Sequence, residues 1–221
     1  MVVWWFIPSR LAGLMPARVW DQTDRGRVSC NDHRVGKLYE AIDGRLREFL
    51  LAQPVFFVAT APSGDRGHIN VSPKGGMGCL AVLDEHRLAY LDYTGSGAET
   101  IAHLRENGRI TLMLCAFNGP PKIVRLHGRG RVVVPEDADF PVLVARFPVE
   151  PGRGLRSVIE VAVERVSDSC GFQVPQMDYV GDRDLLDRWT ERKSDEDLAD
   201  YRRVHNRFSI DGLPALSPPV Q

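Results

Sequence analysis

The sequence RLAYLDYTGSGAETIAHLR, residues 87–105, joins an apolar strand-like run to a helix-like run through a glycine-rich loop. Two hydroxyl residues and two glycines follow one another in this loop, from Thr94 to Gly97. Ser96 and Glu99 have the spacing of a capping box, which predicts the start of a helix. Because backbone N–H groups at a helix start attract anions, the segment has two interpretations: a phosphate cradle, or a glycine-rich turn with a helix cap.

Short apolar runs separated by turn residues surround this junction. Val55–Thr60 and His68–Ser72 predict one hairpin, and Cys79–Leu83 and Arg87–Leu91 predict a second. Longer strands are predicted at Arg109–Phe117, Lys122–Val134 and Leu155–Val166. Strands joined mostly by hairpins favour a mainly β protein, an antiparallel barrel with added helices, over alternating strand–helix units.

Helices are predicted before, between and after these strands. Apolar residues at helical spacing from Leu38 to Leu50 predict a helix that begins near Lys37 and ends before Pro54. Three further helical stretches are Asp137–Phe147, Asp182–Lys193 and Asp195–Asn206. We expect Trp189, in the second of these, to pack its helix against the barrel.

The composition is that of an ordinary globular protein. The chain has 221 residues, a hydrophobic fraction of 43% and a formal net charge of −1, which does not favour nucleic acid or a membrane surface. The four cysteines are scattered, which indicates reduced thiols in the cytoplasm rather than disulfides or a metal site: Cys30, Cys79, Cys115 and Cys170. Catalytic residues cannot be assigned, since neither H-E-x-x-H nor G-x-S-x-G occurs.

The chain divides into three predicted parts. Residues 1–34 begin with an apolar run too short for a signal peptide or a membrane span, and then become polar without periodicity. We expect a poorly ordered extension, or an artefact of the assumed translation start; the alternative is an ordered arm that packs its tryptophans on the domain. The barrel is predicted at 35–168, and helices with a tail that pack on it at 169–221.

Two strands carry side chains suited to binding an anion. Lys74 ends the strand after Ser72, where it can reach a phosphate or a flavin ring edge, or can be a solvated turn lysine. In the strand predicted at Lys122–Val134, the two-residue period places four basic residues on one face: Arg125, His127, Arg129 and Arg131. This face is interpreted as an anion groove, or as a solvated or salt-bridged dimer surface. Gly128 and Gly130, on the other face, allow a backbone or a ligand to come close.

Several motifs, taken in order, resemble the pyridoxamine 5′-phosphate oxidase-like, FMN-binding split-barrel family over roughly residues 37–165. The motifs are Pro54–Thr60, Asn70–Gly75, Tyr90–Thr100 and Gly119–Lys122. Later segments, Ser169–Phe172 and Ser209–Pro214, resemble a subgroup whose oxidase activity has only been inferred. The resemblance implies a six-stranded antiparallel split barrel that forms a homodimer, with one flavin in each of two grooves between the subunits.

The resemblance also implies a function and a cofactor site. The function would be hydride exchange between FMN and a small organic substrate. Alternatives are a reductase that uses the deazaflavin F420, and a non-catalytic barrel that binds flavin or haem or has lost its cofactor. Residues matching the family's cofactor strand and loop are Asn70, Val71, Ser72, Lys74, Asp92, Thr94, Gly95, Ser96, Gly97, Glu99 and Thr100.

One departure from the family bears on the phosphate. Pyridoxamine phosphate oxidases place an Arg-Lys pair after a serine where this chain has Ser96 and Gly97. The phosphate would then depend on backbone N–H groups, on Lys74, and on a basic residue of the second subunit such as Lys122 or Arg125. The family's C-terminal residues that hold pyridoxamine phosphate are not recognisable, so the sequence assigns no substrate.

Overall fold

An antiparallel sheet organises the part of the chain that the computed structural model describes, residues 36–216. The extension predicted at residues 1–34 lies outside the described residues, as does the end of the tail, residues 217–221. The strands are β1 Leu38–Tyr39, β2 Val55–Thr60, β3 Asn70–Gly75, β4 Leu80–Asp84, β5 Arg87–Tyr93, β6 Arg109–Cys115, β7 Ile123–Val133 and β8 Leu155–Ser169. The helices are α1 Gly44–Leu51, α2 Glu99–Glu106, α3 Phe140–Val144, α4 Leu185–Glu191 and α5 Asp195–His205.

The strand order confirms the predicted mainly β, antiparallel class. It runs β3-β2-β6-β7-β8-β5-β4, with β1 beside β8, and the neighbours are antiparallel. The sheet therefore has eight strands among the described residues, not six. Seven of these strands correspond to the runs predicted from the sequence, and the short β1, which pairs with β8, is the addition.

Side-chain contacts between strands far apart in this order show that the sheet curls into a barrel. β3 and β5 are separated by four strands, yet Lys74 Nζ lies 2.9 Å from Asp92 Oδ1. The rings of Phe56 on β2 and Tyr90 on β5 meet edge to face, with centroids 5.4 Å apart. Both rings are buried in the apolar core. The outermost strands β3 and β4 are not paired with each other, as in a split barrel.

Strand β7 packs closely against β8 at Gly128. A Cβ atom at this position would lie 2.0 Å from the carbonyl oxygen of Ala162, so only glycine fits there. The register between the two strands also shifts at this point. The prediction that the glycine face of β7 admits a neighbouring backbone is confirmed at Gly128.

The first predicted helix was wrong at its start. Leu38 lies in β1 and pairs with Ser167, and α1 begins only at Gly44. Asp43 sets this start because its side chain accepts a hydrogen bond from the N–H of Leu46, as an N-cap does. Periodicity alone did not reveal this, since Leu38 happens to stand at helical spacing from Ile42.

The capping box predicted for α2 is wrong. Ala98 is the N-cap of α2, and it makes no side-chain cap hydrogen bond. Glu99 is then the first helical residue rather than the third, and its Oε1 accepts a hydrogen bond of 3.3 Å from Ile210 N. The start of α2 is thus held by a segment far along the chain.

The C-terminal helices contact each other through aromatic rings. Trp189 of α4 meets Tyr201 of α5 edge to face, with centroids 4.9 Å apart. The N-terminus of α5 has the capping box that α2 lacks, formed by Ser194 and Asp197. Within residues 36–216, no helix combines the length and the apolar character that crossing a bilayer requires.

Candidate functional site

A buried carboxylate, Asp92, lies where β5 ends and joins the glycine-rich loop. It accepts hydrogen bonds from Lys74 Nζ at 2.9 Å, from Arg156 Nε at 2.8 Å and from Ser157 Oγ at 3.0 Å. Asp92 has no exposed surface, and Arg156 is 5% exposed. Two cations therefore face one carboxylate at this point, which leaves a surplus of positive charge.

A bulge in β8 explains how two consecutive residues reach the same carboxylate. Asp92 pairs with Ser157 and Tyr93 pairs with Leu155, so Arg156 is the extra residue between them. An extra residue bends the strand and re-aims its side chains. Arg156 and Ser157 can therefore both bind Asp92, although successive side chains of a regular strand point to opposite faces.

The charges of this cluster depend on one another. Burial by itself raises the pKa of Asp92, but Lys74 and Arg156 outweigh it, and the pKa lies below its ordinary value. Asp92 is thus ionised at neutral pH. The neighbouring Tyr90 is neutral, because burial raises its pKa well above the ordinary value. Its hydroxyl is buried and has no hydrogen-bond partner among the described residues.

A second polar network covers the inward face of β3. Ser72 Oγ donates to Asn70 Oδ1 at 2.8 Å, and Asn70 Nδ2 donates to Thr60 Oγ1 at 3.1 Å and to Thr100 Oγ1 at 3.0 Å. Thr60 Oγ1 also lies 2.9 Å from Nδ1 of the buried His103. The network joins the predicted cofactor strand to the first turn of α2. Burial lowers the pKa of His103, so its ring is neutral at pH 7.

The loop after β5 is held by residues that lie far along the chain. Thr94 Oγ1 donates to the carbonyl oxygen of Gly154 at 2.8 Å and accepts from Arg202 Nε at 2.9 Å. Asn206 Nδ2 donates to the carbonyl oxygen of Gly95 at 2.7 Å. The next two residues, Ser96 and Gly97, are exposed. The loop is therefore fixed at its base and open at its tip.

The structure brings most of the predicted strand and loop residues together. Asn70, Ser72 and Lys74 face inward, toward Asp92 and Thr100. Val71 stands on the opposite face of β3 and is 64% exposed.

The two basic residues assigned to a second subunit lie elsewhere. Lys122 Nζ is 3.9 Å from Asp168 Oδ2 and stands over the rings of Tyr39 and Phe49. Arg125 Nη1 donates to Ser169 Oγ at 3.1 Å. No contact joins either residue to Asp92 within the described chain, so their role across a subunit interface stays a prediction.

Several residues of the site were missed from the sequence, among them Arg156, Ser157, Arg202 and Asn206. Arg156 had a usable signal, because a charged residue inside a buried strand run requires a partner. Arg202 and Asn206 had none, since they stand in a strongly charged helix among residues of the same kind.

A cavity of about 590 Å³ lies on the outer side of β2, beside the glycines that end β3. Its apolar lining includes Pro54, Val55, Phe57, Phe117, Met177 and Tyr179. A cavity of this size and character suits a planar organic ring.

Comparisons with known proteins agree with the resemblance. A family model described as pyridoxamine 5′-phosphate oxidase matches residues 42–170. A pyridoxamine 5′-phosphate oxidase family protein of Aspergillus flavus, ustO, is 42% identical over 192 residues, which are 80% of this chain and 77% of that relative.

Among solved structures, HupZ of Group A Streptococcus is 18% identical with a TM-score of 0.46, and covers 58% of this chain and 94% of its own. An FMN-binding protein from Syntrophomonas wolfei is 15% identical with a TM-score of 0.41, and covers 55% of this chain and 82% of its own. Structural likenesses of this size carry no argument about function.

Proposed function

The chain belongs to the pyridoxamine 5′-phosphate oxidase family. From that membership we propose that it binds a flavin, FMN, and that it is an oxidoreductase which exchanges a hydride between the flavin and a small organic substrate. The observation that carries this proposal is the meeting of β3 with the residues on both sides of the loop after β5, at the end of β5 and in the first turn of α2. Lys74 binds Asp92, and Asn70 binds Thr100, so the strand and the loop that match the family's cofactor site form one polar wall.

The chemistry of this wall fits a phosphorylated flavin. Two cations, Lys74 and Arg156, share the single carboxylate of Asp92, so positive charge is in excess at this point. The exposed tip at Ser96 and Gly97 precedes the N-terminus of α2, where backbone N–H groups favour an anion.

Each residue of the wall would have a simple task. Bound flavin supplies the hydride chemistry, and the protein binds and orients it. Asp92 holds the Lys74 ammonium in place, and that ammonium has further N–H groups to donate. Ser72 donates to Asn70, which leaves the oxygen of its hydroxyl able to accept a hydrogen bond from the ligand.

We extend the proposal to the assembly and its location. Residues 35–168 would form the cofactor barrel, and residues 169–221 would pack on it, supported by the contacts of Arg202 and Asn206 with the loop. A homodimer is supported by half-buried apolar side chains on the outer face of the sheet, Phe57 and Met113. Cys79, Cys115 and Cys170 are free thiols, which supports the cytoplasm.

The site is tested by a double substitution, Lys74→Ala with Ser96→Ala. It should weaken FMN binding roughly tenfold or more, because a charged donor and a hydroxyl are both lost. Fluorescence titration with FMN measures the change. The control is Lys37→Ala, which removes an exposed lysine just before β1 and should bind FMN like the wild type.

Two outcomes would contradict different parts of the proposal. Unchanged affinity in the double variant would show that the residues were assigned to the wrong site. A wild-type protein that binds no flavin would contradict the function itself. A Soret band would then indicate haem, and binding of added F420 would indicate the deazaflavin reductase.

A further inference from the structure

Helix α5 lies beyond the region that the family model matches, yet it contacts the base of the loop after β5. Arg202 Nε donates to Thr94 Oγ1 at 2.9 Å, and Arg202 Nη2 donates to the carbonyl oxygen of Leu155 at 3.2 Å. One helical turn later, Asn206 donates to the carbonyl oxygen of Gly95 at 2.7 Å. The helix therefore holds both residues that precede the open tip of the loop.

Arg202 forms no salt bridge within the described chain, although the carboxylate of Glu136 acts on its charge. Two other arginines near it have carboxylate partners: Arg153 binds Asp195, and Arg203 binds Asp200. Arg202 is partly buried and binds only a hydroxyl and carbonyl oxygens. Its pKa is lowered by burial and then by Arg156, which is a second cation close by.

A second group at the same place is also incompletely satisfied. The side-chain oxygen of Asn206 is buried and has no hydrogen-bond partner among the described residues. Native proteins rarely leave such atoms unpaired. A guanidinium without a salt bridge lies near a buried amide oxygen that needs a hydrogen-bond donor, at the C-terminal end of α5. Together they indicate that the site is completed by a ligand that carries both an anionic group and a hydrogen-bond donor.

We propose that Arg202 makes this site prefer a phosphorylated flavin over riboflavin. It positions Thr94 at the base of the loop, and its positive charge stands in for the Arg-Lys pair that this chain lacks at Ser96 and Gly97. Arg156 cannot take this part alone, because it is buried against Asp92, which it shares with Lys74. The inference rests on the proposed flavin function and adds the residue that selects the phosphate.

The test compares two ligands that differ only in the phosphate. Dissociation constants for FMN and for riboflavin are measured by flavin fluorescence in the wild type and in Arg202→Met. We expect the wild type to bind FMN more tightly than riboflavin, and Arg202→Met to lose roughly tenfold of that preference. The reason is that the charge of Arg202 attracts the phosphate of FMN, and riboflavin has no phosphate. Arg203→Met, on the same helix but exposed and paired with Asp200, should keep the wild-type preference.

A third variant separates charge from loop geometry. Arg202→Lys keeps the charge but loses the bonds to Thr94 and Leu155, so it should retain most of the preference for FMN. In the wild type, added salt should weaken FMN binding more than riboflavin binding. This measurement needs no variant, so a failure of Arg202→Met to fold would not leave the inference without a test.

The results distinguish the two levels of the proposal. Equal weakening of FMN and riboflavin by Arg202→Met, or a salt-independent preference in the wild type, would overturn the role of Arg202 while the flavin function stood. A wild-type protein that binds neither ligand would overturn both.

Discussion

Asp92 is the residue on which the arrangement of the site depends. It is fully buried, and it accepts hydrogen bonds from both Lys74 and Arg156. The sequence placed Asp92 and Lys74 among the site residues through the family resemblance. The charge of Arg156 inside a buried strand run indicated that it has a partner, but not which one, because the bulge that aims it at Asp92 is a property of the pairing between β5 and β8.

Asp92→Asn should destabilise the protein by about 3–5 kcal/mol, because it leaves Arg156 and Lys74 without a carboxylate in a buried place. The free energy of unfolding in urea measures the loss. Asp84→Asn is the matched control, since Asp84 pairs with Arg87 on the exposed surface and should cost less than about 1 kcal/mol. Similar losses in the two variants would contradict the account of a buried charge cluster.

His103 should make stability depend on pH. Burial lowers its pKa from 6.5 in the folded protein, so the unfolded chain binds more protons as the pH falls, and stability is lost below about pH 6.5. Urea unfolding of His103→Gln should show a smaller loss between about pH 7.5 and about pH 5.5 than the wild type. Some loss of stability should remain in the variant, because the pKa of His127 is also lowered in the folded protein. An equal loss in the variant would exclude His103 as a source.

The elements differ in how far local sequence determines them. The hairpins β2–β3 and β4–β5 were predicted and are confirmed, because alternation and turn residues are local signals. The start of α2 was not predicted correctly, because Glu99 binds Ile210, a residue 111 positions away. Where a distant segment forms the hydrogen bonds at a helix end, the local sequence at that end does not predict the cap.

Two serines that look alike in sequence should differ in their effect on stability. Ser194→Ala should cost about 1 kcal/mol, because Ser194 caps α5 with Asp197. Ser96→Ala should cost less than about 0.5 kcal/mol, because Ser96 is exposed and does not cap α2. Thermal or urea unfolding measures both. A loss of stability in Ser96→Ala as large as that in Ser194→Ala would indicate that Ser96 does cap α2.

On the scale of the whole molecule, the curled antiparallel sheet could be predicted from its hairpins, and the family from motifs between Pro54 and Lys122. The strand count could not, since the two-residue β1 carries no pattern of its own. Nor could the contact of α5 with the loop, because Arg202 and Thr94 are 108 positions apart and neither residue type is unusual where it stands. Long-range polar contacts of this kind follow from the folded shape alone.

A native mass spectrum of the purified protein with excess FMN tests the proposed function and the shared groove together. We predict a dimer of two chains, each 24.7 kDa, that carries two FMN molecules. The Lys74→Ala, Ser96→Ala variant should keep the dimer mass and lose most of the flavin. A wild-type monomer, or a dimer that remains free of flavin, would contradict the account.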